Sequence, residues 1–474
     1  MAEHREHKVV DKSQVAPATS RIMSFPLSFL DLPYARPIYV KRLFFYHFPH
    51  PTHIFYETIL PSLKHNLSLT LQHFFPLAGN LLCPPQPHKP FIRCTDDDSV
   101  TLTIVESKAY FNHLSSNHPK NLKDLDHLVP MLTFTTVHGD DDDEDTYVSP
   151  LVALQVTVFP NHGLCIAITN SHVIMDGRSS CYFIKYWSSI CRSGGVDLTP
   201  PCFDREVLKD TKGLEAIFLR DYFEERSTWK DKLKLIGQTP NHDEDYVKAT
   251  VSFGRDDIEG MKRWVLNQLE KNDELMKATE YLSKFVVTCG FMWASWVKAK
   301  CRHDDNNDED EQEIMKEEYF RFAADCRDRF EYPIPATYVG NCLTRCHALL
   351  KRKELKGEAG FVKAVKGIAR AIIDMKAEPL KDAENWKELS RKMFVLGSTM
   401  IVGGSPKFDV YETDFGFGKP TKVEMMVHPQ ILCVSLAESG DGEGGIEFGL
   451  EFTGSGEFEY FSSVIEQGLV TLKS

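Results

Sequence analysis

The chain reads as a mixed α/β protein of more than one domain, and three observations say so. Its 474 residues exceed the roughly 250–300 at which a single hydrophobic core stops growing. Two apolar runs, LVALQVTVFP and LCIAITNSH, flank the turn residues Pro160, Asn161, His162 and Gly163 as the strands of a β-hairpin do. Just beyond them, SSCYFIKYWSSICR spaces Phe183, Tyr186, Trp187 and Ile190 along one face of a helix.

The other elements follow in chain order. Leu67 to Phe75 has helical apolar spacing before Pro76 and Gly79, and Phe91 to Ile104 reads as two strands around the turn-rich TDDDS. The hairpin delivers His172 at the end of its second strand, and after the short MDGR connection a helix begins just beyond Asp176. Ser193 to Pro201 breaks that helix, and the charged stretch from Leu208 to Asp245 reads as a crossover. A first domain at 1–205, a linker at 206–245 and a second domain at 246–474 are therefore expected. In the second, Tyr281 to Arg302 is an apolar helix ending in bases, and the HDDNNDEDEQE run after it is too charged to pack. Tyr319–Ala324, Tyr338–Leu343, Ile431–Leu436 and Gly445–Phe452 read as strands, and Glu457–Leu469 as a closing helix.

Composition narrows the function. The chain is 42 % hydrophobic and 26 % charged, an ordinary core-forming balance. Its net charge of −13 is carried by two runs, six acids at 140–145 and seven at 304–313, so the rest is balanced and shows no basic footprint for nucleic acid. The twelve cysteines form no C-x-x-C pair and read as buried reduced thiols. The first twenty residues lack a signal-peptide core, and no run of about 18 apolar residues occurs, so a soluble cytoplasmic protein without membrane partners is expected.

His172-Val-Ile-Met-Asp176-Gly177 is the constellation a mechanism could use. An imidazole titrating near neutrality can take a proton from a hydroxyl. The H-x-x-x-D pattern alone is weak, because His138 to Asp142 repeats it inside an acidic loop. Context separates the two: His172 ends an apolar strand and precedes a helix, a rigid seat for a base. Asp176 could orient the imidazole, or cap the helix and bind an arginine. No G-x-S-x-G elbow offers a nucleophile, which favours direct transfer, and no His/Cys/Glu set has zinc spacing.

These residues, with Asp414-Phe-Gly-Phe-Gly418 near the end of the chain, resemble the plant coenzyme-A-dependent BAHD acyltransferases. FPLSFLDLPY, RLFFY, FPLAGNL, FAADCRDRF and GIEFGLEF are similar to the family too, from about Phe25 onward. The resemblance implies two similar-sized domains of chloramphenicol-acetyltransferase type, mixed sheets flanked by helices, with a channel across their interface. It implies that His172 is the general base for an acceptor hydroxyl attacking an acyl-CoA thioester. It implies that Asp176 and Gly177 shape the loop, with Arg327 as the partner of Asp176, and that Asp414, Gly416 and Gly418 form a structural turn near the site. Phe417 departs from the family's usual tryptophan and removes an indole N–H donor.

Tyr338-Val-Gly-Asn-Cys342, again with one change at Val339, and SPKFDVYETDFGFGKP resemble the anthocyanin and phenolic-glucoside malonyltransferase branch. That branch implies malonyl-CoA as co-substrate, no permanently bound cofactor, a small-molecule glucoside acceptor and a monomer. A malonyl carboxylate needs a cation inside the channel. Arg178, set at a helix N-terminus where the dipole disfavours it, would gain from such an anion, and Arg42 is a second candidate. An aliphatic or hydroxycinnamoyl donor, or a retired binding protein on the same fold, are the alternatives.

Overall fold

The computed structural model describes residues 7–19, 21–137, 145–195, 199–229, 246–270, 282–301, 315–396, 398–426 and 433–473. The hairpin lies at the centre of the first half. Its strands β4 (Val152–Phe159) and β5 (Gly163–Ser171) pair antiparallel from Val152↔Asn170 to Phe159↔Gly163, and every residue of both is buried. The uninterrupted apolar runs follow, since neither face of these strands meets water. Their sheet runs β1 (His7–Val15), β3 (Val100–Ser107), β4, β5, β2 (Tyr39–His47) and β10 (Lys422–Met426). Period-two alternation is visible in β2. Phe44 and Tyr46 join the core under helices α1 (Leu60–His73) and α2 (Gly177–Ser193), whereas Leu43 and Phe45 join the cluster of Phe111 and Leu128.

The second sheet runs β8 (Leu343–Lys351), β7 (Glu317–Asp325), β9 (Ser398–Gly404), β11 (Cys433–Glu438), β12 (Ile446–Thr453), β6 (Tyr246–Phe253) and the short strand Lys120–Asn121. It shares a core with α4 (Arg255–Glu270), α5 (Lys284–Lys300), α6 (Gly360–Ala377) and α7 (Ser455–Lys473), through residues such as Val265, Trp293, Ile368 and Phe461. A five-stranded sheet of Met23–Pro26, Phe91–Cys94, Asn80–Cys83, Thr146–Pro150 and Thr135–Val137 completes the expected mixed α/β architecture.

The halves are not separated cleanly at 206–245. The stretch 206–229 contains helix α3 (Leu214–Arg226), and residues 230–245 lie outside the described residues, as do 140–144 and 304–313 of the acidic runs. More tellingly, the sheets trade strands: Lys120–Asn121 pairs with β6, and β10 pairs with β2. One ion pair joins the two traded strands. Lys120 Nζ lies 2.9 Å from Glu424 Oε1, with side chains 0 % and 2 % exposed, and also donates to the Leu114 and Ser116 carbonyls at 3.0 and 2.7 Å. Burial by itself would raise the Glu424 pKa, but Lys120, Lys422 and Lys248 bring it down to about 2. Glu424→Gln is expected to lower the free energy of unfolding by about 3–5 kcal/mol, because it strips a buried ammonium of its counter-charge. Urea denaturation measures this, and a change under 1 kcal/mol would show the pair to be dispensable. Because the folded pKa is depressed, the pair's contribution is complete above the ordinary carboxylate pKa of 4.5 and fades as pH falls towards 2.

Two local expectations need correction. The helix expected at Leu67–Phe75 spans Leu60–His73, starting earlier because Pro61 sits in its first turn, where a missing N–H leaves no bond unmade. Tyr338–Leu343 is not a strand: Tyr338 forms an isolated bridge with Cys202, and β8 begins at Leu343. The amides of Gly340, Asn341 and Cys342 donate instead to side chains of Ser179, Asp31 and Asp176, so this buried segment satisfies its backbone without a ladder.

Candidate active site

His172 follows β5 directly, and its backbone amide donates to the Ile38 carbonyl at 2.9 Å, beside the end of β2. The residue as a whole is half-buried. Its ring stacks on Tyr34, with centroids 4.1 Å apart and planes 8° from parallel, and its Nδ1 lies 3.0 Å from Asn341 Oδ1. The base candidate therefore rests between an aromatic ring of the first half and an amide of the second.

Asn341 settles the tautomer. Its Nδ2 lies 2.8 Å from the His172 carbonyl, 3.0 Å from the Val173 carbonyl and 3.0 Å from Asp31 Oδ1, none of which can donate. The amide nitrogen must face these three acceptors, which leaves Oδ1 to accept from the imidazole. From that network, the proton is assigned to Nδ1 and the lone pair to Nε2, which has no hydrogen-bond partner among the described residues. Burial, the largest influence on the ring, lowers its pKa below 6.5, and the Arg345 guanidinium adds to that. A neutral imidazole at pH 7 with a free Nε2 can accept a proton from a bound hydroxyl.

The structure brings Asp176 and Arg327 together. Asp176 Oδ2 lies 2.8 Å from Arg327 Nη1, both side chains are fully buried, and Oδ1 caps α2 by accepting the Ser179 amide at 2.9 Å. Arg327 also donates to Ser179 Oγ and to the Tyr338 and Gly340 carbonyls at 3.1–3.2 Å. A second buried pair, Arg205 with Asp31 at 3.0 Å, ties the asparagine's anchor to the same loop. Asp176 thus holds a helix start and a loop in place and makes no hydrogen bond to the imidazole. Gly177 packs closely, since a Cβ there would meet the Phe408 ring at 2.9 Å and oblige that side chain to shift.

The remaining candidates lie elsewhere. Arg178 has its anion within the protein: Nη1 is 2.8 Å from Asp325 Oδ2, and Nη2 donates to the Ala336 carbonyl. The conflict with the helix dipole that marked it for a substrate carboxylate is thereby resolved without a substrate. Arg42 is buried inside the first sheet, with Nη1 2.8 Å from Cys181 Sγ. Asp414 Oδ1 accepts the Gly416 and Gly418 amides at 2.8 and 3.0 Å, and both glycines have φ near +100°, a conformation that favours glycine. This turn lies not beside His172 but at the far end of α2, where Gly416 approaches Arg192 and Cys191. At 1.5 Å per residue that end is about 22 Å from Gly177, so position 417 has no direct part at the base. Phe417 packs edge-on against Tyr46 at 5.1 Å and stacks beside Phe415.

Sequence reasoning gave no role to Asn341 and did not single out Tyr34. The local signal for Asn341 was its place between Gly340 and Cys342, read there as strand core. All twelve cysteines are unbridged, nine of them buried, and burial raises the Cys342 pKa, which leaves it a thiol. No helix among the described residues is long and apolar enough to cross a membrane.

Comparison with known proteins accords with this geometry. The profile of the Transferase family matches residues 3–455. The chain is 35 % identical over 479 residues to the malonyl-coenzyme A:anthocyanin 3-O-glucoside-6''-O-malonyltransferase of Dahlia pinnata, covering 97 % of each. It is 33 % identical to coumaroyl-CoA:anthocyanidin 3-O-glucoside-6''-O-coumaroyltransferase 1 of Arabidopsis thaliana, over 98 % of this chain and 97 % of that one. The crystal structure of vinorine synthase shares the fold, with a TM-score of 0.68, 18 % identity and 98 % coverage of both chains. With a family match across nearly its whole length and relatives above 30 % identity, the chain belongs to the BAHD acyltransferase family and is an acyltransferase.

Proposed function

We propose that this acyltransferase moves a malonyl group from malonyl-CoA to a sugar hydroxyl of a phenolic or flavonoid glucoside, with His172 as general base. The observation that carries the mechanism is the free Nε2 of an imidazole whose Nδ1–H is held by Asn341. Nε2 takes the acceptor's proton as its oxygen bonds to the thioester carbonyl carbon. The tetrahedral intermediate then expels the coenzyme A thiolate by breaking the C–S bond, and the thiolate takes the proton back from the imidazolium. Collapse runs in this direction because a thiol, with a pKa near 8.5, is a far better leaving group than an alcohol. No enzyme-bound acyl group and no resident cofactor are needed.

The Dahlia relative supports the malonyl donor, whereas the Arabidopsis relative, nearly as similar, is named for a coumaroyl donor and favours a second reading. A matrix of phenolic and anthocyanin glucosides against malonyl-, acetyl- and coumaroyl-CoA separates them. The highest kcat/KM is expected with malonyl-CoA and a glucoside acceptor. Higher values with coumaroyl-CoA would move the assignment to the second reading, and binding of ligands without turnover would leave a retired binding protein.

A further inference from the structure

The mechanism above gives two nearby arginines no contact with substrate. Arg321 and Arg345 stand on β7 and β8, where Arg321 opposes His347 and Ala323 opposes Arg345, so both side chains lie on one face of the sheet. Neither guanidinium has a carboxylate within ion-pair distance among the described residues. Arg345 lies over the rings of Trp386 and Tyr34, at 4.8 and 5.7 Å, and Arg321 donates to Ser390 Oγ at 3.2 Å. Burial, and then the neighbouring Arg345, push the Arg321 pKa down to about 10. Two adjacent, partly buried cations without a counter-charge are costly unless something anionic arrives.

A cleft opens beside Arg345, lined by it with Arg36, Trp229, Trp386 and Ser390, the last of which Arg321 contacts. Two acids also line it, and both are paired: Glu225 with Arg36 of the same lining at 2.9 Å, and Asp221 with Arg220 at 3.0 Å and with Lys387 at 3.9 Å. Glu225 acts on Arg345 at longer range, and Lys387, the third cation of the lining, is held by Asp221 and Glu224, which leaves Arg345 as the lining cation without an ion pair among the described residues. The cleft sits next to the base. Leu32, Pro33, Ala35 and Arg36 line it, and the residue they bracket, Tyr34, touches both the His172 ring and Arg345. Guanidinium and imidazole therefore both lie against one aromatic ring.

We propose that this cleft is a substrate-carboxylate subsite, with Arg345 as the group that binds the carboxylate and Arg321 behind it. The inference rests on the acyl-transfer reading and adds a specificity residue to it. Either substrate can bring the anion: the free carboxylate of a malonyl thioester or an acidic group on the acceptor. Planar guanidinium offers a carboxylate two parallel hydrogen bonds, and the rings of Tyr34 and Trp386 hold it in place.

The test is Arg345→Met, assayed with malonyl-CoA and acetyl-CoA on a neutral phenolic glucoside, and with acetyl-CoA on a carboxylate-bearing one. Loss of one charged hydrogen-bonded partner lowers kcat/KM for the anionic substrate between about 10- and 100-fold more than for its neutral counterpart, and Arg345→Lys restores part of it. Selective loss with malonyl-CoA assigns the site to the donor, and selective loss with the acidic glucoside assigns it to the acceptor. Equal losses in all three assays overturn the proposal. A second measurement does not depend on turnover: malonate, but not malonamide, raises the Tm of the wild type and not of Arg345→Met. A wild type without acyl transfer whose Tm still responds to malonate through Arg345 sinks the transfer reading and keeps the site. Malonyl transfer with no malonate response and no selective loss does the reverse.

Discussion

Replacing His172 with alanine lowers kcat by about 10²–10⁴-fold, the contribution expected of one positioned general base. The loss falls on kcat more than on KM, because the proton moves only as the acceptor attacks. The wild-type pH profile carries the matching signature. Since burial depresses the imidazole pKa below 6.5, activity rises with pH through an apparent pKa under that value and is level at neutrality. The alanine variant loses that acidic limb along with its rate. Wild-type turnover in the variant would remove His172 from the chemistry. The Nδ1 contact with Asn341 explains why the base is poised: an acceptor locked by three other bonds keeps Nδ1 protonated and Nε2 free.

Arg327→Met destabilises the fold by about 3–5 kcal/mol, since it leaves Asp176 buried and charged with no partner. Asp176 loses its ion pair but keeps the Ser179 and Cys342 amides, which are too few to hold an uncompensated carboxylate in the core. The double variant Asp176→Asn/Arg327→Met recovers a large part of that loss. Asparagine still accepts at the start of α2, and neither residue then carries a charge. Denaturant unfolding of the single and double variants closes the cycle, and an additive result would mean that the pair contributes no coupling. Activity in Arg327→Met falls with the folded fraction and with displacement of the 338–342 segment, whose carbonyls the guanidinium holds. That segment carries Asn341 and thereby reaches the base.

Much of the site was legible because its parts are local. A strand ending at His172, an acid capping the next helix and a glycine closing it at 194 are relations across a few residues, and α2 begins and ends accordingly. The turn at 414–418 is equally short-range, one carboxylate receiving amides two and four residues on. Arg178 shows where local reasoning runs out. A cation at a helix start does want an anion, but the anion is Asp325, 147 residues away. Tyr338–Leu343 misled in the same way: its apolar look is that of a buried segment, and what pairs its backbone is a set of side chains from distant positions.

By itself, the order of residues determined the mixed α/β class, the hairpin that presents His172 and the helix that follows it, because apolar period, turn residues and caps act over a handful of positions. The tertiary structure alone decided that Asn341 holds the imidazole, that the halves trade strands around Lys120 and Glu424, and that Arg321 and Arg345 meet without a counter-charge. Charge and hydrogen-bond partners lie wherever the folded chain brings them, and contacts across more than a hundred residues leave no period to read.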